Sequence, residues 1–98
     1  MPLFVMIGHD GANGAARRDQ HRAAHAAHVE ALDREGRIFF AGTSRNDRND
    51  VSIGAVLVFE ARDLDEAREI AKRDPFVSGG VFESPTVAPF KHVYPKQP

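Results

Sequence analysis

Apolar positions along the chain gather into short runs separated by polar stretches, and each run predicts an element. LFVMI, residues 3–7, is consecutively apolar and reads as a strand, followed by the turn-rich loop GHDGANG at 8–14. From about Ala15 to Glu35 the pattern turns helical and is rich in Ala, Arg and Glu, with Gly36 where a C-terminal cap belongs. RIFFAG, 37–42, is a second strand, and TSRNDRNDV, 43–51, a polar loop containing RND twice in tandem. SIGAVLVFEA, 52–61, is the strongest strand pattern in the chain. Asp63 followed by Glu66 resembles a capping pair that opens a helix over 64–74, and Pro75 disfavours helical geometry at Asp74 and so ends it. After the turn FVSGG comes a last extended segment, VFESPTVAPFKHVY, 81–94. Pro85 and Pro89 lack amide donors and confine it to a sheet edge or a bulge.

The order is β-α-β twice over, which predicts an α+β ferredoxin-like βαββαβ sandwich with two helices on one face of an antiparallel sheet. Side-chain parity adds a further expectation. In the third strand Ile53, Ala55, Leu57 and Phe59 point one way and Gly54, Val56 and Val58 the other, so both faces are apolar. Two helices cover only one face, and a second copy of the sheet is the simplest cover for the other, which predicts a homodimer packed sheet to sheet. The competing arrangement has the loops and the C-terminal tail folded over that face.

HRAAHAAHVEAL, 21–32, places three of the five histidines on the first helix. On a 3.6-residue wheel Ala24, His28, Ala31 and Leu32 form a sheet-facing stripe that His21 and His25 extend, with Arg18, Arg22, Glu30 and Arg34 on or near the opposite side. An imidazole packed at His25 needs a partner for each ring nitrogen or an open cavity beside it. The second helix offers one: Ala67, Ile70 and Ala71 form its buried stripe, and Asp74 continues it at steps of three and four. A carboxylate beside an imidazole fixes its tautomer and favours the imidazolium, leaving the other nitrogen to take or give a proton near neutral pH. Arg22, three residues from His25, is a candidate to steer an anionic substrate. Ser44 and Ser78 are candidate hydrogen-bond donors, and His28 a wall residue of the same region.

Composition narrows the chemistry. Ninety-eight residues suit one domain; the net charge of −1 without a basic stripe argues against nucleic-acid binding. No apolar run reaches membrane-spanning length and the N-terminus reads as no secretory signal, so a cytoplasmic location is expected. Zero cysteines exclude disulfides, thiolate catalysis and thiolate metal sites. His21, His25 and His28 fall at steps of four and three, where two could share a metal, but three from one helix would bind with poor geometry. Neither a metal nor an organic cofactor is called for. No serine lies in a Gly-x-Ser-x-Gly setting, and GHDGANG lacks the Gly-Lys-Ser/Thr of a phosphate-binding loop.

RAAHAAHVEALDREGRIFFAG resembles the signature of the YciI (YCII-related) family, an Arg-x-x-His helix followed by a Gly-Arg-led strand ending in Ala-Gly. DPFVSGGVFESPTV and VAPF are similar to the family's later segments, in the same order. The resemblance spans nearly the whole chain and implies a ferredoxin-like fold, sheet-to-sheet dimers of the dimeric α+β barrel type, and a site centred on the histidine and aspartate that fall at His25 and Asp74. It departs at Thr43, where family members often carry Pro. Relatives in aromatic degradation act as dehydrochlorinases or resemble muconolactone isomerases, so the family implies proton-transfer chemistry without naming a substrate. Two functions follow as expectations: a small dimeric enzyme doing acid–base chemistry on a small organic molecule, or a non-catalytic dimeric module that binds a small ligand or a protein in the same cleft.

Overall fold

The computed structural model of the chain describes residues 1–96. Strand β1 (Leu3–Asp10), helix α1 (Gly14–Arg34), strands β2 (Ile38–Arg45) and β3 (Ser52–Glu60), helix α2 (Leu64–Arg73), a single-turn helix α3 (Pro75–Ser78) and strand β4 (Phe82–Phe90) follow one another. The strands form one antiparallel sheet in the order β2-β3-β1-β4, the α+β ferredoxin-like arrangement. The two most continuous apolar runs, β1 and β3, take the centre, where both edges of a strand find partners. The proline-bearing β4 takes an edge, with a bulge opposite Ile7–His9.

One face of the sheet carries the core. Phe4 and Met6 of β1 lie across from Phe59 and Leu57 of β3, and Ala67, Ile70 and Ala71 of α2, Leu32 of α1 and Phe76 of α3 pack on them. Burying an Ile or Phe side chain is worth about 1.5–3 kcal/mol, so this cluster is the main favourable term in folding. The caps follow local chemistry. Gly36 adopts φ 71°, and the amides of Gly36 and Arg37 return to the carbonyls of Asp33 and Leu32, which closes α1 in a Schellman motif. Asp63 caps α2 by accepting from the Glu66 amide, while the Glu66 carboxylate accepts from the Arg62 amide and pairs with Arg37.

Three expectations about element limits need correction. The first strand runs on to Asp10 and the second to Arg45, because their polar ends continue the antiparallel hydrogen bonding with β4 and β3. The polar loop shrinks accordingly to 46–51, where Asn46 Oδ1 accepts from the amides of Asp50 and Val51. The stretch after Pro75 is a helical turn instead of a plain one: Asp74 is extended (φ −65°, ψ 120°), its carboxylate accepts from the Phe76 amide, and Pro75 occupies the first helical position.

The other sheet face carries Leu3, Val5, Ile7, Val56, Val58 and Phe40, aligned by the strand registers. Val58 is fully buried, whereas Ile7 and Phe40 are 37% and 47% exposed. The segment after β4 reaches toward the far edge of the sheet, where the His92 ring lies 4.9 Å from the Phe39 ring. Among the described residues no helix is long and apolar enough to cross a membrane.

Candidate active site

The buried face of α1 repeats every seven residues, through Arg18, His25 and Leu32, with His21, His28 and Val29 half-buried beside it. Ala24 is exposed and Arg18 is buried, which reverses the expected placement of both. Two helical turns separate Arg18 from His25 and return nearly to the same side, so a stripe drawn through His25 passes through Arg18.

Asp74 meets His25 across the space between helices. Its Oδ1 lies 2.7 Å from His25 Nδ1 and also accepts from the Phe76 amide at 2.9 Å. The aspartate is 1% exposed, held where α2 ends and α3 begins. The His25 ring stacks flat on Phe76, with ring centroids 3.7 Å apart and planes within 2°. These two contacts fix the imidazole in place and orientation. A carboxylate on Nδ1 favours the tautomer with the proton there, which leaves the lone pair on Nε2. Nε2 has no protein partner among the described residues, and the side chain keeps 27% of its surface open.

The opening is a cavity of about 350 Å³ between α1 and the β2–β3 half of the sheet. It exists because the residues facing it are small: Ala26 from α1, Ala41 from β2 and Ala55 from β3 cannot fill the gap between the layers. His25, Arg18, Met6, Phe76, Thr43 and Ser52 supply its functional and ring-bearing wall. The volume falls within the range of sites for small molecules, about 300–1,000 Å³.

The other expected site residues divide. Arg22 stands at the cavity rim, 2.9 Å from Asp19, with its side chain 64% exposed. His28 does not line the cavity; its Nε2 is sealed and without a hydrogen-bond partner among the described residues. Ser44 points away from the helices, its hydroxyl packed over Gly54, where a Cβ would come within 2.5 Å of it. Thr43 and Ser52 line the cavity in its place, with the Ser52 hydroxyl accepting from Arg45 Nη1 at 3.2 Å. The cause is a bulge at Phe39: Ile38 faces the helices with Phe59, but Phe40 faces away with Val58. Strict alternation from Ile38 would have turned Ser44 inward. Ser78 donates to the Asp74 carbonyl at 3.3 Å, and His21 packs on Gly79. Among the described residues no three His, Asp or Glu side chains gather as a metal site would require.

Sequence reasoning missed the pair formed by Arg18 and Asp10. Arg18 Nε and Nη2 donate to the two carboxylate oxygens of Asp10 at 2.7 and 2.8 Å, and Nη2 reaches the Gly54 carbonyl at 3.2 Å. The guanidinium carbon lies 5.2 Å from the Phe76 ring centroid, within cation–π range. Gly14 makes the arrangement possible, because a Cβ there would sit 2.6 Å from the Asp10 carboxylate. The available signal was the seven-residue step from Arg18 to His25.

Compared with known proteins, residues 2–91 match the model of the YCII-related domain. The chain is 35% identical over 97 residues to Protein YciI of Escherichia coli O6:H1, an alignment covering 94% of this chain and 99% of that one. It is 29% identical over 96 residues to an uncharacterized protein of Haemophilus influenzae, covering 93% and 98%. Among solved structures, 5-chloro-2-hydroxyhydroquinone dehydrochlorinase (TftG) from Burkholderia phenoliruptrix AC1100, in complex with 2,5-dihydroxybenzoquinone, superposes with a TM-score of 0.80 at 27% identity, covering 93% of this chain and 95% of that one. The ring-stacked histidine on a buried aspartate thus sits in a chain that belongs to the YCII-related domain family.

Proposed function

We propose that the protein is a small acid–base enzyme that moves a proton on a small organic molecule, in an isomerisation or an elimination. His25 Nε2 takes the proton; in an isomerisation it returns it to another atom of the substrate, and in an elimination the leaving group departs with its bonding pair and the imidazolium gives the proton to solvent. Asp74 holds the ring in the productive tautomer. The single observation that carries this reading is the 2.7 Å contact from His25 Nδ1 to a buried carboxylate, with the opposite nitrogen unpartnered among the described residues on a cavity wall. A general base must reach its proton directly, and Nε2 is the atom so exposed. The dehydrochlorinase named for the structural neighbour supports elimination as one reaction type, with a ring compound as one substrate class.

A screen of small lactones, enols and halogenated ring compounds tests the reading. Turnover is expected, and His25→Ala should lower it by about 10²- to 10⁴-fold, the usual contribution of a positioned proton-transfer group. Turnover that survives His25→Ala undiminished overturns the assignment; a protein that binds a compound and never converts it is a binding module instead. Nitrogen-15 NMR of the histidine ring should report the proton on Nδ1 in the free protein.

The assembly proposed with this site is a homodimer through the open sheet face. Its support is that face's composition, with Ile7 and Phe40 left partly exposed beside Val5 and Val56. Sedimentation equilibrium should give a dimer, and Ile7→Lys combined with Phe40→Glu should give a folded monomer. A wild-type monomer would reject the interface.

A further inference from the structure

A buried arginine is costly unless something requires it, because a guanidinium and its partner carboxylate must both leave water. Arg18 is 7% exposed and Asp10 holds only part of it. Nε and Nη2 are occupied, but Nη1 finds no protein acceptor among the described residues, and the side chain lines the cavity that His25 also lines. The two groups rest against the same Phe76 ring, His25 stacked on it and the Arg18 guanidinium 5.2 Å from its centroid. A methionine at 18 would fill the same space without desolvating a charge. Packing alone therefore does not account for the arginine.

We propose that Arg18 is a substrate-binding residue whose Nη1 donates a hydrogen bond to the substrate oxygen on which negative charge collects when His25 removes a proton. This rests on the acid–base reading of His25 and narrows the substrate to a planar molecule with an enolisable carbonyl or an ionisable ring hydroxyl. In the step, the bond from substrate carbon or oxygen to hydrogen breaks and the proton passes to His25 Nε2. The electron pair moves onto the oxygen facing Arg18. It then collapses back as the imidazolium returns the proton to another atom, in an isomerisation, or expels the leaving group while the imidazolium gives its proton to solvent, in an elimination. A preorganised donor aimed at developing charge is a strong source of rate enhancement in a site sheltered from water. Asp10 is the positioning residue: its two oxygens lock the guanidinium plane, so Nη1 has one direction to point. Thr43 and Ser52 also line the cavity but are neutral, and the Ser52 hydroxyl accepts from Arg45 at 3.2 Å; of the arginines that line the cavity, Arg18 is buried and Arg22 stands exposed at the rim.

The test uses a matched pair of probes, 4-nitrophenolate and its methyl ether 4-nitroanisole, which differ in the charged oxygen. Wild type should bind the phenolate about tenfold or more tightly than the ether, the usual worth of a hydrogen bond to a charged group. His25→Ala should keep that preference. Arg18→Met alone strands the Asp10 carboxylate and is liable to unfold, so the informative variant is Arg18→Met with Asp10→Asn, its fold checked by circular dichroism. It should bind the ether as wild type does and prefer the phenolate less than twofold. Equal binding of both probes by wild type, no binding of the phenolate, or a preference unchanged in the double variant would each overturn the assignment. A preference that depends on Arg18 in a protein where His25→Ala alters no turnover would keep the oxygen site and remove the acid–base reading.

Discussion

The two long helices lie on the same sheet and spend their residues differently. Helix α2 has 10 residues, a side-chain cap at Asp63 and a clean buried stripe of Ala67, Ile70 and Ala71. Helix α1 has 21 residues, no side-chain cap, and buries only Gly14, Arg18 and Leu32. Tertiary packing holds α2, whereas α1 relies more on the helix propensity of its alanines and on its Gly36 stop. The difference shows where the molecule keeps room for chemistry. A helix packed at native density leaves no cavity, and α1 stands off the β2–β3 half of the sheet on small residues and imidazoles.

Substitutions should separate the two helices. The largest effect belongs to the cavity that α1 borders: Asp74→Asn, at the end of α2, keeps an acceptor for the Phe76 amide but loses the charge beside His25 of α1, and should lower turnover by about 10²- to 10⁴-fold. Its thermal unfolding should move little, and a collapse of the fold would mean that Asp74 is chiefly structural. On α2, Ile70→Ala should cost about 2–5 kcal/mol in a denaturant titration and leave the rate per folded molecule intact. Val29→Ala, half-buried at the cavity, should cost less than about 1.5 kcal/mol; equal losses at the two positions would erase the contrast drawn above. Asp63→Ala removes the α2 cap and should cost about 1 kcal/mol.

The smallest effect depends on pH. Glu66 accepts from the Arg62 amide and pairs with Arg37 and Arg62, which holds its carboxyl below its ordinary value against the opposing effect of partial burial. A carboxyl lowered in the folded state stabilises the protein above its unfolded pKa and loses that contribution as pH falls through the folded value. Glu66→Gln should therefore be less stable than wild type at neutral pH, with the gap closing in acid. A gap that stays constant with pH would assign the effect to the hydrogen bonds alone.

Much of this was legible in the residues. The run from Ser52 to Glu60, the Asp63 cap and Gly36 act through local chemistry, which a sequence displays directly. The meeting of His25 and Asp74 was legible too, because each continues a stripe whose side is known once both helices share a face. Arg18 was not, since a charge on a helix reads as solvated until a carboxylate from another element takes it inside. Ser44 and Thr43 were exchanged for a different reason: a bulge is a property of two strands in register, and one strand's sequence does not announce it. The turn at Pro75–Ser78 hid behind its glycines and took shape because Asp74 caps it.

The extra residue at Phe39 carries a consequence for how such a pocket changes between relatives. Because the strand beyond it is one step out of phase, removing a single residue ahead of Phe40 would swap the inner and outer surfaces of everything up to Arg45. The side chains of Ala41 and Thr43 would turn away from the helices, and the Gly42 and Ser44 positions would turn toward them, with no substitution at any of the four. Chain length upstream, as much as residue identity, decides which hydroxyl a bound molecule meets.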